Sequence, residues 1–514
     1  MVETQQQSNK RIAKNTLYMY VRMLITMAVG LYASRIVLAT LGASDYGLYN
    51  VVGGIVIVLA SINGTLATGT QRFLSFALGE GDEEKLKTFF STAVLLHCVF
   101  AVIFLILAET AGLWFLNVNM NIPFGRENAA FWVYQFSIIT TVISIVQVPY
   151  MSAIIAHERM SVYAYMSIYD AVAKLLIVYL IQISSFDKLI FYASLVCAVG
   201  LTSALMYNLY CRINFSECKL HPKMDSGVFK EMAVFSGWNI FGCVSVPLQM
   251  QGLNILLNIF FNTIINAARG IAVQVNNIIL QFVNNFQTAV NPQIVKLFAA
   301  GKKEEMEHLV INNSKFAGFL YLLIAAPLFV EIEFVLDIWL GEYPDYTIPF
   351  VRIILIQSLI QTLTRPVVMV VHAVGKMKEV NLTAGVALLL ILPVSYVLLK
   401  MNVDPVTVMA VNIIPWLFET FFELYYENKF IGFPIWGFYK KVYFVVFPIA
   451  LLVVTVPYFA HLYLPLEGWC RFLIVCIISV ITSVATIYYL GLSKHLREMV
   501  LEKAKSIVTS KIHR

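Results

Sequence analysis

Four amide side chains, Gln274, Asn277, Gln281 and Asn284, stand at i, i+3, i+7 and i+10 along an otherwise apolar stretch. That spacing puts them on one face of a helix. Gln251, Asn254 and Asn258 form a similar face on the stretch before it. Amides both donate and accept hydrogen bonds, and in an apolar solvent they must meet a partner or water. They can bond one helix to another, at about 0.6–2 kcal/mol per bond, or line a hydrated cavity. The amide density of these two stretches exceeds what bonding needs, so a hydrated cavity is expected there. Two weaker stripes, Gln357, Gln361 and Thr364, and 217 residues earlier Thr140, Ser144 and Gln147, fit either use.

Charges in apolar runs add further chemistry. Arg22 lies about two turns into the first run, where an arginine costs about 3 kcal/mol on insertion scales. It either snorkels to the membrane surface or faces an anionic ligand. Arg35 is near the far end of the same run and snorkels more easily. Arg269, in Asn266-Ala267-Ala268-Arg269-Gly270, is read as opening a helix whose free N–H groups and dipole would support an anion site. An anchor for lipid phosphate is the other use of that position. Asp170 and Lys174, spaced i and i+4, form a self-neutralising pair or part of an ion-coupling site. Glu419 and Glu423 are also i and i+4, with no cation at helical spacing in their run. They would bind a coupling cation or pair with Arg365, one residue before Pro366.

The elements that position these groups follow from composition. The chain has 514 residues, of which 59% are hydrophobic and only 13% charged, against about 25% charged in soluble domains. The apolar residues come in runs of about 20, the length of a membrane-crossing helix. Fourteen spans are expected: 16–39, 48–70, 89–112, 128–151, 161–183, 188–211, 236–261, 266–290, 309–332, 347–370, 380–399, 406–428, 442–464 and 469–491. Of the 36 Lys and Arg residues, 25 fall in alternate connections and tails, and only 5 (Arg126, Lys188, Arg269, Lys400 and Arg471) in or at the margins of the others. The positive-inside rule then expects both termini in the cytoplasm. The net charge of +6 is thereby read as orientation rather than nucleic-acid binding. The first 15 residues are polar and basic and lead into an uncleaved first span. The seven cysteines show no CxxC or Cys/His cluster and read as reduced. No G-x-S-x-G, P-loop or HExxH motif occurs, so neither catalysis, ATP hydrolysis, a cofactor nor a metal is expected.

The chain also repeats itself. Leu78–Leu86 (LGEGDEEKL) resembles Phe298–Met306 (FAAGKKEEM), and Pro149, Ala156, Arg159 and Met160 match Pro366, Ala373, Lys376 and Met377. Spans 1–6 therefore pair with spans 7–12 in the same orientation, as parallel repeats do when they flank a substrate path. The expected organisation is an N-lobe (1–211), a cytoplasmic linker (212–235), a C-lobe (236–428), and an appendage of spans 13–14 and tail (429–514).

Asn15-Thr16-Leu17, followed by Leu41-Gly42-Ala43-Ser44-Asp45-Tyr46-Gly47-Leu48-Tyr49 and by Gln71-Arg72, resembles the opening of bacterial Wzx-like polysaccharide flippases. These belong to the multidrug/oligosaccharidyl-lipid/polysaccharide (MOP) exporter superfamily. The resemblance implies two six-helix lobes around a cavity lined by spans 1, 2, 7 and 8, plus two extra helices. It implies alternating access for a lipid-linked oligosaccharide on a polyprenyl pyrophosphate, serving surface polysaccharide synthesis such as O-antigen. Implied partners are membrane lipids, a coupling H+ or Na+, and the polysaccharide polymerase machinery. In related lipid II flippases, arginines on spans 1 and 8 engage the anionic head group; Arg22 and Arg269 fall on those helices. Their second-span cavity arginine has no counterpart, since Arg72 stands at the end of span 2. The alternatives are a cation-coupled multidrug exporter, which favours acids where span 1 carries Arg22 and Arg35, and a membrane polymerase or ligase, which needs a larger external loop. A major-facilitator transporter is a third; its basic signature after span 2 is replaced by Gly79–Lys87.

Overall fold

The computed structural model describes residues 5–60, 62–157, 159–219, 226–374, 377–494 and 497–498. Every regular element among them is helical. Eleven helices among the described residues are long and apolar enough to cross a membrane. Large apolar side chains such as Ile106, Leu176, Leu205 and Leu451 are more than half exposed on helix surfaces, which suits lipid rather than water as the surrounding solvent. The chain is a multi-pass α-helical membrane protein.

The chain divides into two compact units. The first (1–270, with 342–344 and 388–408) holds α1 (Gln5–Ala60), α2 (Ile62–Glu80), α3 (Glu83–Leu107), α4 (Leu113–Asn119), α5 (Glu127–Ala156), α6 (Met160–Ile183), α7 (Lys188–Asn214), α8 (Ser226–Phe260) and the start of α9 (Thr263–Ala299). It also takes in α14 (Ile391–Lys400). The second unit holds the rest of α9, α10 (Lys303–Val330), α11 (Ile332–Trp339), α12 (Thr347–Val374), most of α13 (Met377–Leu389), part of α15 (Pro405–Val411), α16 (Ile413–Ile431), α17 (Ile435–Phe438), α18 (Phe444–Tyr463) and α19 (Gly468–Thr486).

The fourteen expected spans all fall on helical stretches, eleven of which qualify as membrane-crossing among the described residues, and two of the boundary differences bear on the site. The expected connection 40–47 is compressed to a single break inside α1, at Gly42 (φ 78°, ψ 165°), a conformation open essentially to glycine alone. The second difference is at α9. It begins at Thr263, where Asn262 Oδ1 accepts from the N–H groups of Ile264 and Ile265 at 3.0 and 3.2 Å. Arg269 therefore sits in the second turn, beyond the free N–H groups, and the helix-terminus argument for an anion there does not apply.

The sequence repeat is written in the backbone too. Gly81 (φ 71°) and Gly301 (φ 70°) both close a helix in the left-handed conformation, one between α2 and α3, the other between α9 and α10. Asp82 caps α3 by accepting from the Lys85 N–H at 3.0 Å, with Glu83 and Glu84 in the first turn.

In the first unit, Arg126 ties three helix ends together. Its guanidinium bonds the Asp45 carboxylate at 2.5 and 3.0 Å and that of Asp187, which also caps α7. Partial burial raises the Asp187 pKa, but the bonds from Arg126 and from the Ile190 and Leu189 N–H groups outweigh it, leaving it below the ordinary carboxylate value. A depressed carboxylate lends stability above its unfolded-state pKa and loses it as pH falls through the folded value. Arg126→Ala is expected to lower stability by about 1–2 kcal/mol at neutral pH. In thermal melts the deficit should shrink as the pH is taken below the ordinary Asp range.

Candidate functional site

A cavity of about 540 Å³ lies inside the first unit, built from three helix faces. From α5 come Thr140, Ser144 and Gln147, the expected stripe. From α6 come Tyr163, Ser167, Asp170 and Lys174, at i, i+4, i+7 and i+11. From α7 come Gly200, Ser203 and Tyr207, and Ala67 of α2 completes the wall. A Cβ at Gly200 would rest in ordinary van der Waals contact with the Thr140 methyl, at 3.4 Å. Ser203 hydrogen-bonds the Asp170 carboxylate, and Lys174 is its nearby countercharge. Asp170 and Lys174 are thus neighbours of the α5 stripe, in one polar site.

Arg22 stands at the edge of this cavity. Its Nη1 donates to Ser167 Oγ at 3.2 Å, and the guanidinium carbon lies 4.8 Å from the centroid of the Tyr163 ring. Its Nε is buried and has no hydrogen-bond partner among the described residues. Arg35 is exposed on α1.

The α8 amides are arranged differently. Asn258, fully buried, accepts from the Asn121 N–H at 2.9 Å and donates to the Asn121 carbonyl at 3.3 Å. Asn254 accepts from Asn266 Nδ2 at both its carbonyl (2.6 Å) and its side chain (2.8 Å). Gln251 abuts Gly54, whose absent Cβ would fall 2.7 Å from Gln251 Oε1. Asn254 and Asn258 thereby bond helices and a connection to each other, where the sequence had suggested a hydrated face. Arg269 is 6% exposed, and its Nε has no partner among the described residues.

In the second unit the α9 stripe keeps an open face: Asn277 is exposed, and Gln274, Gln281 and Asn284 are half-buried. Arg365 Nη1 donates to Asn284 Oδ1, and Glu423 lies within electrostatic reach of that guanidinium. Glu419 is half-buried and Glu423 is 7% exposed. One turn further along α16, Glu427 is 1% exposed, and neither carboxylate oxygen has a hydrogen-bond partner among the described residues. Sequence reading missed Glu427, although i, i+4, i+8 spacing from Glu419 was there to be seen. It also missed Tyr163, Ser167, Ser203 and Tyr207, whose signal was their shared register with Asp170 and Lys174 or with one another. No group of three or more His, Cys, Asp or Glu that could hold a metal is found among the described residues.

The repeat is not symmetric in use. Thr364, the counterpart of Gln147, is fully committed: its hydroxyl meets Tyr443 at 3.0 Å and Thr420 at 3.3 Å. Tyr443 immediately precedes α18, in the second unit. In the second unit, the cavity beside α10, α12 and α18 (about 290 Å³) is walled by apolar residues such as Leu322, Leu355 and Leu451.

No protein-family profile matches the sequence, and no curated protein matches it. Solved structures do match. A lipid II flippase MurJ in an inward closed conformation aligns over 91% of this chain and 97% of its own, with a TM-score of 0.66 at 11% identity. An inward-facing MATE family multidrug resistance transporter covers 82% of this chain and 96% of its own, with a TM-score of 0.64 at 11% identity. A MOP superfamily transporter from Pyrococcus furiosus, described as having a binding pocket of reversed polarity, covers 82% and 96%, with a TM-score of 0.59 at 13% identity. Over nearly its whole length, this chain has the fold of the MOP superfamily of membrane transporters.

Proposed function

We propose that the protein is a transporter that moves a lipid-linked oligosaccharide, carried on a polyprenyl pyrophosphate, from the cytoplasmic to the outer leaflet for surface polysaccharide synthesis. The observation that carries this reading is the cavity of α5–α7, with Arg22 at its edge. A chain built to exclude polar groups from its helices has gathered at one place hydroxyls, an amide, an acid–base pair and a guanidinium whose Nε has no partner among the described residues. Such groups replace the water that a phosphorylated sugar loses on entering the membrane. The Wzx-like motifs and the shared fold with a lipid II flippase support the same substrate class. The proposed setting is the bacterial inner membrane, with both termini in the cytoplasm, an N-lobe of residues 1–211 and a C-lobe of residues 236–428. Arg269, Arg35 and the open amide face Gln274–Asn284 with Arg365 would extend the polar path. Gln251, Asn254 and Asn258 would hold its walls. Glu419 and Glu423 would take a coupling cation, and a polysaccharide polymerase would consume the product.

The buried acids of α16 favour a second reading, cation-coupled multidrug export. Leaflet-resolved measurement of lipid-linked sugar in cells lacking the gene separates the two. Accumulation on the cytoplasmic leaflet is expected; an unchanged distribution with raised drug sensitivity would replace the flippase by the exporter. Orientation has its own check. Glu83→Cys and Lys303→Cys should both react with impermeant thiol reagents only from the cytoplasmic side, and external labelling of either would overturn the parallel repeat.

A further inference from the structure

We infer that the α5–α7 cavity is a glycosyl-phosphate subsite, in which the sugar attached to the carrier occupies the cavity and its phosphate lies on Arg22. The inference rests on the flippase reading and goes further, because it places sugar recognition inside the first unit.

Size comes first. About 540 Å³ is within the range of roughly 300–1,000 Å³ for small-molecule sites. Chemistry narrows the ligand. Asp170 and Lys174 carry opposite formal charges one helical turn apart, and Ser203 meets the carboxylate. The cavity therefore has no surplus negative charge to hold a bare cation or a cationic drug. What it offers is a mixture of donors and acceptors: the Lys174 ammonium, the Thr140 and Ser144 hydroxyls and the Gln147 amide. A hydroxyl-bearing ring, itself donor and acceptor at each carbon, is the complement of such a wall.

Charge at the edge supplies the second part. Arg22 contacts the Ser167 hydroxyl and the Tyr163 ring, neither of them a carboxylate. Its buried Nε has no partner among the described residues. A guanidinium with an unpartnered planar donor matches a phosphate oxygen. Ser167 and Tyr163 belong to the cavity wall and also touch Arg22. The anion and sugar positions are therefore contiguous, as they are in a glycosyl phosphate.

The test uses the full-length protein in lipid nanodiscs. Calorimetry with glucose 1-phosphate, galactose 1-phosphate and N-acetylglucosamine 1-phosphate is compared with the free sugars and with inorganic phosphate. At least one glycosyl phosphate should bind roughly tenfold or more tightly than both its sugar and inorganic phosphate, the gain expected from one or two further hydrogen bonds. Arg22→Ala should reduce binding to the level of the sugar. The Asp170→Asn/Lys174→Gln double variant keeps the volume and neutrality of the pair and should reduce binding to the level of phosphate. Thermal melting confirms that each variant is folded; Arg22→Gln substitutes for the first and Ser144→Ala for the second where either is not. If every glycosyl phosphate binds no better than inorganic phosphate, or if the cavity variants leave its affinity unchanged, the subsite is overturned. Leaflet-resolved sugar transport is measured in parallel. Intact flipping without glycosyl-phosphate binding rejects the subsite alone, whereas binding without flipping rejects the transport reading and leaves the subsite standing.

Discussion

Arg22→Ala is expected to cut leaflet-to-leaflet transport by about 10- to 100-fold while the protein expresses and melts at or above the temperature of the unaltered chain. The two halves of that expectation come from one physical fact. A guanidinium within an apolar span is costly, about 3 kcal/mol on insertion scales, and here it meets a hydroxyl at 3.2 Å and a ring at 4.8 Å. Neither offsets the desolvation of a charge as a carboxylate would. Removing the side chain relieves that cost, so stability should not fall. Transport should fall, because a charge-assisted bond to a substrate anion is worth about 1.5–3 kcal/mol, and each 1.4 kcal/mol is about tenfold. Arg22→Lys keeps the charge but loses the planar fork and the stacking on Tyr163, so it should recover only part of the rate. Flipping assayed with lipid-linked sugar in proteoliposomes, beside melting curves of the same preparations, reads both halves. Full activity in Arg22→Ala would remove Arg22 from the substrate path.

How much of this was legible in the sequence depends on which property was being read. Helices were legible because hydrocarbon leaves the backbone no other choice over runs of about 20 apolar residues. The repeat was legible at Gly81 and Gly301, where an identical backbone conformation requires the same residue. The polar stripes were legible as faces but not as uses. Asn258 and Asn277 are both amides in apolar runs, yet Asn258 is fully buried against Asn121 while Asn277 is exposed. Which outcome a given amide meets depends on the helix opposite, and periodicity along one helix carries no record of its neighbour. The cavity of α5–α7 shows the same limit from the other side. Its three helices each carry a modest polar register, and only packing reveals that the registers converge. The start of α9 was misplaced because Asn262-Thr263 reads equally as the middle of a short connection and as a helix cap, and only the bonds from Ile264 and Ile265 to Asn262 decide it.

The asymmetry between the repeated halves also has a structural cause. Gln147 and Thr364 occupy equivalent positions, 217 residues apart. Gln147 faces a cavity, whereas Thr364 is bonded by Tyr443, which immediately precedes α18. Tyr443 thus occupies a polar position whose counterpart in the first unit lines a cavity.

Gly47→Val should produce the largest loss of all, the absence of folded protein from the membrane. A Cβ at Gly47 would stand 1.8 Å from the Thr263 carbonyl oxygen, 2.6 Å from its carbon and 3.2 Å from the Ala267 nitrogen. All three are backbone atoms, so no rotamer change can relieve the clash. Gly47 lies where α1, past its break at Gly42, runs backbone against backbone along the first turn of α9. The contact is reinforced by Ser44 and Thr263, whose hydroxyls meet at 3.3 Å, and by Gly270, where a Cβ would press on Asn50 at 3.1 Å. Small residues at such crossings permit the close approach on which membrane helices depend in place of a hydrophobic driving force. Forcing the helices apart would disturb the buried Asn254–Asn266 bonds, at a cost of about 1–3 kcal/mol for each polar group left unsatisfied. Gly47→Ala should already lower the melting temperature, and Gly47→Val should abolish the monodisperse peak in detergent. Gly53 provides the control, since nothing lies within 4 Å of a Cβ built there. Gly53→Ala is expected to melt at or above the unaltered chain, because alanine is favoured over glycine inside a helix by about 0.8–1 kcal/mol. If Gly47→Val folded as well as Gly53→Ala, the close crossing of α1 and α9 would not be the contact that holds the first unit together.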